Sequence, residues 1–192
     1  MQLVFASNNS NKIAEIQALV PKSIEILSLK DIGCTEEIPE TAETIEGNAI
    51  LKANYVTKKY GFNCFSDDSG LEIDFLNGAP GVFSARFAGE QKNDKDNIIK
   101  VLRELDGVKN RKAQFKTVIA LNLNGQQNLF TGIIKGTITE TEKGNQGFGY
   151  DPIFLPINYT NTFAELNQSE KSAISHRGQA VAQLLDFLNK NS

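Results

Sequence analysis

The sequence predicts an α/β protein built on a mixed sheet, and three observations carry that reading. Short apolar runs alternate with stretches whose apolar residues recur three, four and seven apart, so strands and helices interleave along the chain. Asn124-Gly125 separates two apolar runs, Phe115 to Leu123 and Leu129 to Ile138, a strong hairpin signal, so the sheet cannot be all parallel. With 192 residues, 40% hydrophobic and 22% charged, the composition is that of an ordinary globular protein, in one large domain or two intimately packed lobes.

Taken in order, Leu3-Val4-Phe5-Ala6 reads as a short strand that runs into the polar loop Ser7-Asn8-Asn9-Ser10-Asn11-Lys12. Ile13, Ile16 and Val20 then mark one helix face, with Pro21 after it and Ile24 to Leu27 as a second strand. The stretch from Asp31 to Thr44 is acidic and irregular, with Glu36, Glu37, Glu40 and Glu43 around Pro39. Ala49, Ala53, Val56 and Tyr60 define a helix that Gly61 is placed to end. Cys64-Phe65 and Leu71, Ile73, Phe75 flank Asp67-Asp68-Ser69-Gly70, which reads as a break between two apolar runs. Gly78-Ala79-Pro80-Gly81 is a turn cluster, and Ile98, Val101, Leu102 and Leu105 mark a third helix. Val181, Leu184, Leu185 and Leu188 mark the last one, for roughly six strands and four helices.

Several function classes are disfavoured. A net charge of −3 argues against a general nucleic-acid or membrane-surface binder, although a local Lys/Arg cluster can still take a nucleotide phosphate. Met1 to Phe5 lacks the features of a signal peptide, and no apolar run approaches membrane-spanning length. Cys34 and Cys64 have no metal-like spacing and read as reduced thiols of a cytoplasmic protein.

Four stretches gather candidate chemistry. Asp67-Asp68-Ser69-Gly70 puts two carboxylates side by side; in a strand at most one faces a given cleft, and such a carboxylate suits a hard cation such as Mg²⁺ bound to phosphate. The alternative is a plain polar turn. The strand–loop–helix start at Ser7 to Lys12 resembles a phosphate-binding device with a lysine added, against simple N-capping as the other reading. It is neither a Walker loop nor a dinucleotide fingerprint, because the glycines are absent. Gly144 to Phe154 interleaves glycines with Phe148 and Tyr150, a good wall for a planar ligand, with Asp151 able to accept from a base or ribose; the alternative puts Tyr150 and Phe154 in the core. Lys171, His176 and Arg177 cluster cations around the single histidine, which suits phosphate or base recognition better than general-base work. No Gly-x-Ser-x-Gly elbow supports a serine hydrolase. Asn48 and Lys52, four apart on a helix, can share a face toward a ligand, against the more common reading of a solvated polar stripe.

Together these segments resemble the nucleoside-triphosphate pyrophosphatases that clear inosine and xanthosine triphosphates, the inosine triphosphatases. The resemblance runs through Phe5 to Lys12, Glu46 to Ala53, Asp67 to Leu71, Gly78 to Gly81 with Ser84-Ala85-Arg86, Gly147 to Pro152, and Ser175-His176-Arg177. It implies a single domain over residues 1–192, with a long curved mixed sheet and helical lobes on both sides of a central cleft. It implies hydrolysis of the triphosphate to monophosphate and pyrophosphate. Ser7, Asn8, Asn9, Ser10, Asn11 and Lys12 would hold the triphosphate, and Glu40 and Asp68 would bind Mg²⁺, with Asp68 also activating water. Ser69 would contact substrate; Phe148, Gly149, Tyr150 and Asp151 would frame base and sugar; Lys171, His176 and Arg177 would close the purine pocket. A homodimer is implied, with no nucleic-acid or membrane partner.

The chain departs from the family at Ser7 (usually Thr), Asn8 (often Gly), Ile45 (commonly Phe) and Phe87 (usually Tyr). Glu36, Glu37 and Glu43 compete with Glu40 for the metal role. Two rival readings are a Maf-like pyrophosphatase of dTTP or UTP, and a non-catalytic nucleotide binder. The loop Ser7 to Lys12 counts against the first, and the presence of both Asp68 and Lys12 against the second.

Overall fold

The fold was obtained as a computed structural model that describes residues 1–191. Six strands, β1 (Gln2–Phe5), β2 (Glu25–Leu27), β3 (Cys64–Ile73), β4 (Lys112–Leu123), β5 (Gln126–Ile138) and β6 (Phe154–Pro156), form a sheet in the order β2-β1-β3-β4-β5-β6. β1 is parallel to β2 and β3, whereas β5 and β6 are antiparallel, so the sheet is mixed as the sequence predicts. The described chain forms two compact units. The first comprises Met1–Asp68, Thr117–Gly132 and the chain from Arg177 onward; the second comprises Ser69–Lys116 and Ile133–His176.

In the first unit, Leu3 pairs with Ile26 and Phe5 with Phe65. Parallel neighbours need crossovers, and helices α1 (Ser10–Leu19) and α2 (Ile45–Tyr60) supply them. The α1 cap is Asn9, whose side chain accepts from the Lys12 N–H at 3.1 Å. α2 starts on Thr44, which accepts from the Gly47 N–H, and stops at Gly61, whose φ of 75° favours a residue without a Cβ. One core gathers Leu3, Phe5, Phe65, Ile119 and Leu184, with the Phe5 and Phe65 rings stacked at 4.8 Å; another gathers Val4, Cys34, Val56 and Cys64.

In the second unit, helix α3 (Asp94–Glu104) presses Ile98 and Val101 into a core with Leu71, Ile73, Tyr150 and Phe154. Helix α4 (Gln168–Ile174) precedes α5 (His176–Lys190), whose first residue closes this unit. α4 escaped the sequence pattern because its one buried residue is Lys171, so there is no apolar period to read.

Two local expectations are corrected. Asp67 to Gly70 lies inside β3, and no break separates the two apolar runs. The strand ends instead at Ile73, where the chain winds into a 3-10 turn at Asp74–Leu76, and Phe75 is exposed there. The hairpin follows the sequence: Asn124 (φ 51°) and Gly125 (φ 80°) both take the left-handed conformation that a tight turn between β4 and β5 requires.

Candidate active site

Alternation along β3 gives the two adjacent aspartates different partners. Asp67, fully buried, receives the Lys12 ammonium at 3.0 Å and the Arg177 Nε at 3.3 Å. Arg177, also buried, donates through Nη1 to Glu15 on α1. Burial alone would raise the Asp67 pKa, but Lys12, Arg177 and Lys52 outweigh it and hold the carboxyl below the ordinary range. For Lys12 the balance is opposite: burial lowers its pKa further than Asp67 restores it, with Lys52 and Arg177 adding repulsion.

Asp68 faces α2. Asn48 Nδ2 donates to its Oδ2 at 3.4 Å, and Lys52 Nζ lies 3.7 Å from its Oδ1. The same ammonium meets Glu40 Oε1 at 2.5 Å, so two carboxylates converge on one cation. Burial pushes the Asp68 carboxyl above its usual range despite the attraction of Lys52 and Lys12. Burial likewise opposes charge on Lys52, yet Asp68, Glu40 and Asp67 keep its pKa raised. Removing such charges from water costs several kcal/mol each, and apolar packing of the same volume is often as stable. A dense buried cluster of alternating charge therefore points to function rather than to stability.

The polar loop expected through Lys12 ends at Asn9, because Ser10, Asn11 and Lys12 form the first turn of α1; Asn8 to Asn11 are exposed, and Lys12 leads inward to Asp67. Ser7 Oγ accepts from the Asn9 N–H at 3.2 Å, which shapes the turn into α1.

The remaining predicted residues lie in the second unit, apart from Arg177. Asp151 and Lys171 are both buried and joined at 2.6 Å. Asp151 Oδ2 also accepts from the Phe148 N–H at 2.9 Å, and the Gly149 N–H donates to Asp94 at the start of α3. Lys171 Nζ stands 4.9 Å from the centroid of the half-buried Phe148 ring, a cation–π contact. The Tyr150 ring is core, with its hydroxyl donating to the Ser84 carbonyl at 2.7 Å. His176 is buried and lies flat on Phe115, 4.6 Å between centroids and 8° between planes. Ser69 is half-buried in β3. The glycine wall, Lys171 and His176 thus belong to one unit, whereas Arg177, in the other, bonds to Asp67 and Glu15.

Among the described residues no group of three or more His, Cys, Asp or Glu side chains is set to hold a metal ion. Glu40 and Asp68 still suit Mg²⁺, which takes one or two carboxylates and completes its shell with waters and substrate phosphates; that both already share a cation shows that they can converge on positive charge.

Sequence reasoning left Asn48, Lys52, Asp67 and Glu15 out of the site. For Asn48 and Lys52 the signal was present in their spacing of four, but the helix face that a polar pair occupies is ordinarily wet. Here Asn48 is 1% and Lys52 7% exposed.

Buried lysines paired with carboxylates beside the turn into α1 are groups of the kind that neutralise phosphate charge. The chain matches the Ham1 family over residues 3–187 and belongs to it. It is 68% identical to the dITP/XTP pyrophosphatase of Flavobacterium psychrophilum over 97% of this chain and 98% of that one. It is 44% identical to the dITP/XTP pyrophosphatase of Bacillus subtilis, covering 97% and 96%. The Ham1 protein structure of Staphylococcus aureus superposes with a TM-score of 0.92 at 38% identity, covering all of both chains. Among the described residues no helix is long and apolar enough to cross a membrane.

Proposed function

We propose that this chain hydrolyses non-standard purine nucleoside triphosphates (ITP, dITP and XTP) to the monophosphate and pyrophosphate, and so cleanses the nucleotide pool. The observation that carries the reading is the convergence of Glu40 and Asp68 on the Lys52 ammonium, with Lys12 close enough to feel both Lys52 and Asp68. The names of its relatives carry two of these substrates, dITP and XTP.

Water attack on the α-phosphorus, with pyrophosphate leaving, calls for charge neutralisation and positioning rather than covalent catalysis. Ser7 to Asn11 and Lys12 would bind the triphosphate, with Lys52 as a second cation. Asp68 would orient the water and take its proton, and burial raises its pKa toward the range where a carboxylate is a useful base. Glu40 and Asp68 would hold Mg²⁺, which when bound neutralises phosphate oxygens and eases deprotonation of water. Arg177 would act by fixing Asp67, which in turn holds Lys12.

In the second unit, Phe148 would offer its face to the base, with Gly149 and Tyr150 shaping the wall and Asp151 fixing Lys171. Ser69 would touch substrate. A donor from His176 or a backbone N–H would pair with the 6-keto oxygen and oppose the 6-amino group of ATP, and a buried donor left facing a donor discriminates strongly. The family also carries the expectations of Mg²⁺ dependence, a homodimer and a cytoplasmic location.

The test is pyrophosphate release from ITP, dITP, XTP, ATP, GTP and dTTP, with and without Mg²⁺. Mg²⁺-dependent turnover of the first three, far above the others, is expected. Preference for dTTP, or binding of nucleotide without turnover, overturns the proposal.

A further inference from the structure

We propose that Glu36, Tyr55, Lys59 and Tyr60 form a clamp that positions Glu40 for the divalent cation, an inference that rests on the ligand role proposed for Glu40. Glu40 lies on the irregular segment between β2 and α2, with its side chain 35% exposed. A carboxylate on such a segment has to be held by attachments on either side, because no ladder of backbone hydrogen bonds fixes it.

The structure provides them. Two residues after Glu40, the Ala42 N–H donates to Asn48 Oδ1 at 2.9 Å. Four residues before it, a single oxygen of Glu36 accepts from the Tyr55 hydroxyl, the Tyr60 hydroxyl and the Lys59 ammonium, each at 2.7 Å. The Lys59 ammonium stands 5.4 Å and 5.6 Å from the centroids of the Tyr55 and Tyr60 rings. An exposed Lys–Glu pair alone would hold little. Three donors on one oxygen, two of them on rigid rings, define a direction as well as a distance.

The bonds from Lys59, Tyr60 and Tyr55 hold the Glu36 carboxyl well below the ordinary carboxylate range, so the acceptor stays charged through neutral and mildly acidic pH. All three donors belong to α2, the helix that also carries Asn48 and Lys52 toward Asp68. One helix therefore sets both the partners of Asp68 and the attachment of the segment bearing Glu40. This gives Glu36 a use distinct from that of a competing metal ligand.

The test uses the full chain with Glu36→Gln and, separately, Tyr55→Phe combined with Tyr60→Phe, which keeps both rings and their packing. Amide hydrogen exchange over residues 34–42 of the metal-free protein should accelerate about tenfold in both variants, with residues 98–105 unchanged. With a non-hydrolysable α,β-methylene inosine triphosphate bound, Mn²⁺ affinity from the electron paramagnetic resonance of the free ion should weaken about tenfold. In a Glu40→Ala background, Glu36→Gln should weaken it no further. Unchanged Mn²⁺ affinity in both variants overturns the clamp, even if exchange is faster, and so does an additive loss in the double variant. If Glu40→Ala itself leaves Mn²⁺ affinity unchanged, the ligand role of Glu40 fails and the clamp falls with it.

Discussion

The Lys171 ammonium and the Asp151 carboxylate meet at 2.6 Å with both side chains buried, and the same carboxylate oxygen caps the Phe148 N–H. One aspartate therefore sets the position of a buried cation and of the turn carrying the aromatic wall. Asp151→Asn should cost about 3 kcal/mol of stability, the usual scale for breaking a buried pair. Urea denaturation measures it, and a loss below about 1 kcal/mol would show the pair to be energetically idle.

The same turn makes Gly147 sensitive. Its φ of 74° is strained for any L side chain, and a Cβ there would run into the Asp151 carboxylate. Gly147→Ala is expected to lose about 1–3 kcal/mol and to raise KM for ITP, because the turn must shift with Asp151. Wild-type stability and KM in this variant would contradict the role given to the turn.

Asp68→Asn should separate chemistry from folding. Burial already disfavours the charged Asp68, so a neutral amide of the same shape should change stability by no more than about 1 kcal/mol. Turnover of ITP should fall by about 10²–10⁴-fold, the range of a lost general base. Near-normal turnover of the folded variant would remove Asp68 from the chemistry.

Burial pushes the Cys64 thiol up to about 12, so it stays protonated in the folded protein where a free thiol of pKa about 8.5 ionises. In that interval the native state holds the extra proton. The contribution is thus fully present below about pH 8.5 and is lost as pH rises toward 12. Iodoacetamide at pH 8.5 should leave Cys64 unmodified in the native protein and label it in denaturant, as read by mass spectrometry.

The sequence reveals elements better than burial. Periodicity located α2 and α3, and Asn124-Gly125 located the hairpin, because these signals are local. The strand through Asp67 and Asp68 was hidden, since two adjacent carboxylates oppose strand formation locally. What keeps Asp67 in β3 is compensation from Lys12 and Arg177, 55 and 110 residues away, and Asp68 is met by Asn48 and Lys52. Lys52 was hidden for the same reason: its burial depends on Glu40 and Asp68, and no window of sequence shows them together. The glycine-interleaved loop was readable as a special segment, but the division of labour within it was not. Tyr150 went to the core and Asp151 to Lys171.

Both borders of the sheet are only three residues long, β2 at one side and β6 at the other. β6 also closes on Pro156, which has no N–H to offer a further strand. As edge strands, β2 and β6 give an incoming chain little backbone to template on, and β6 covers β5 only from Gly136 to Ile138.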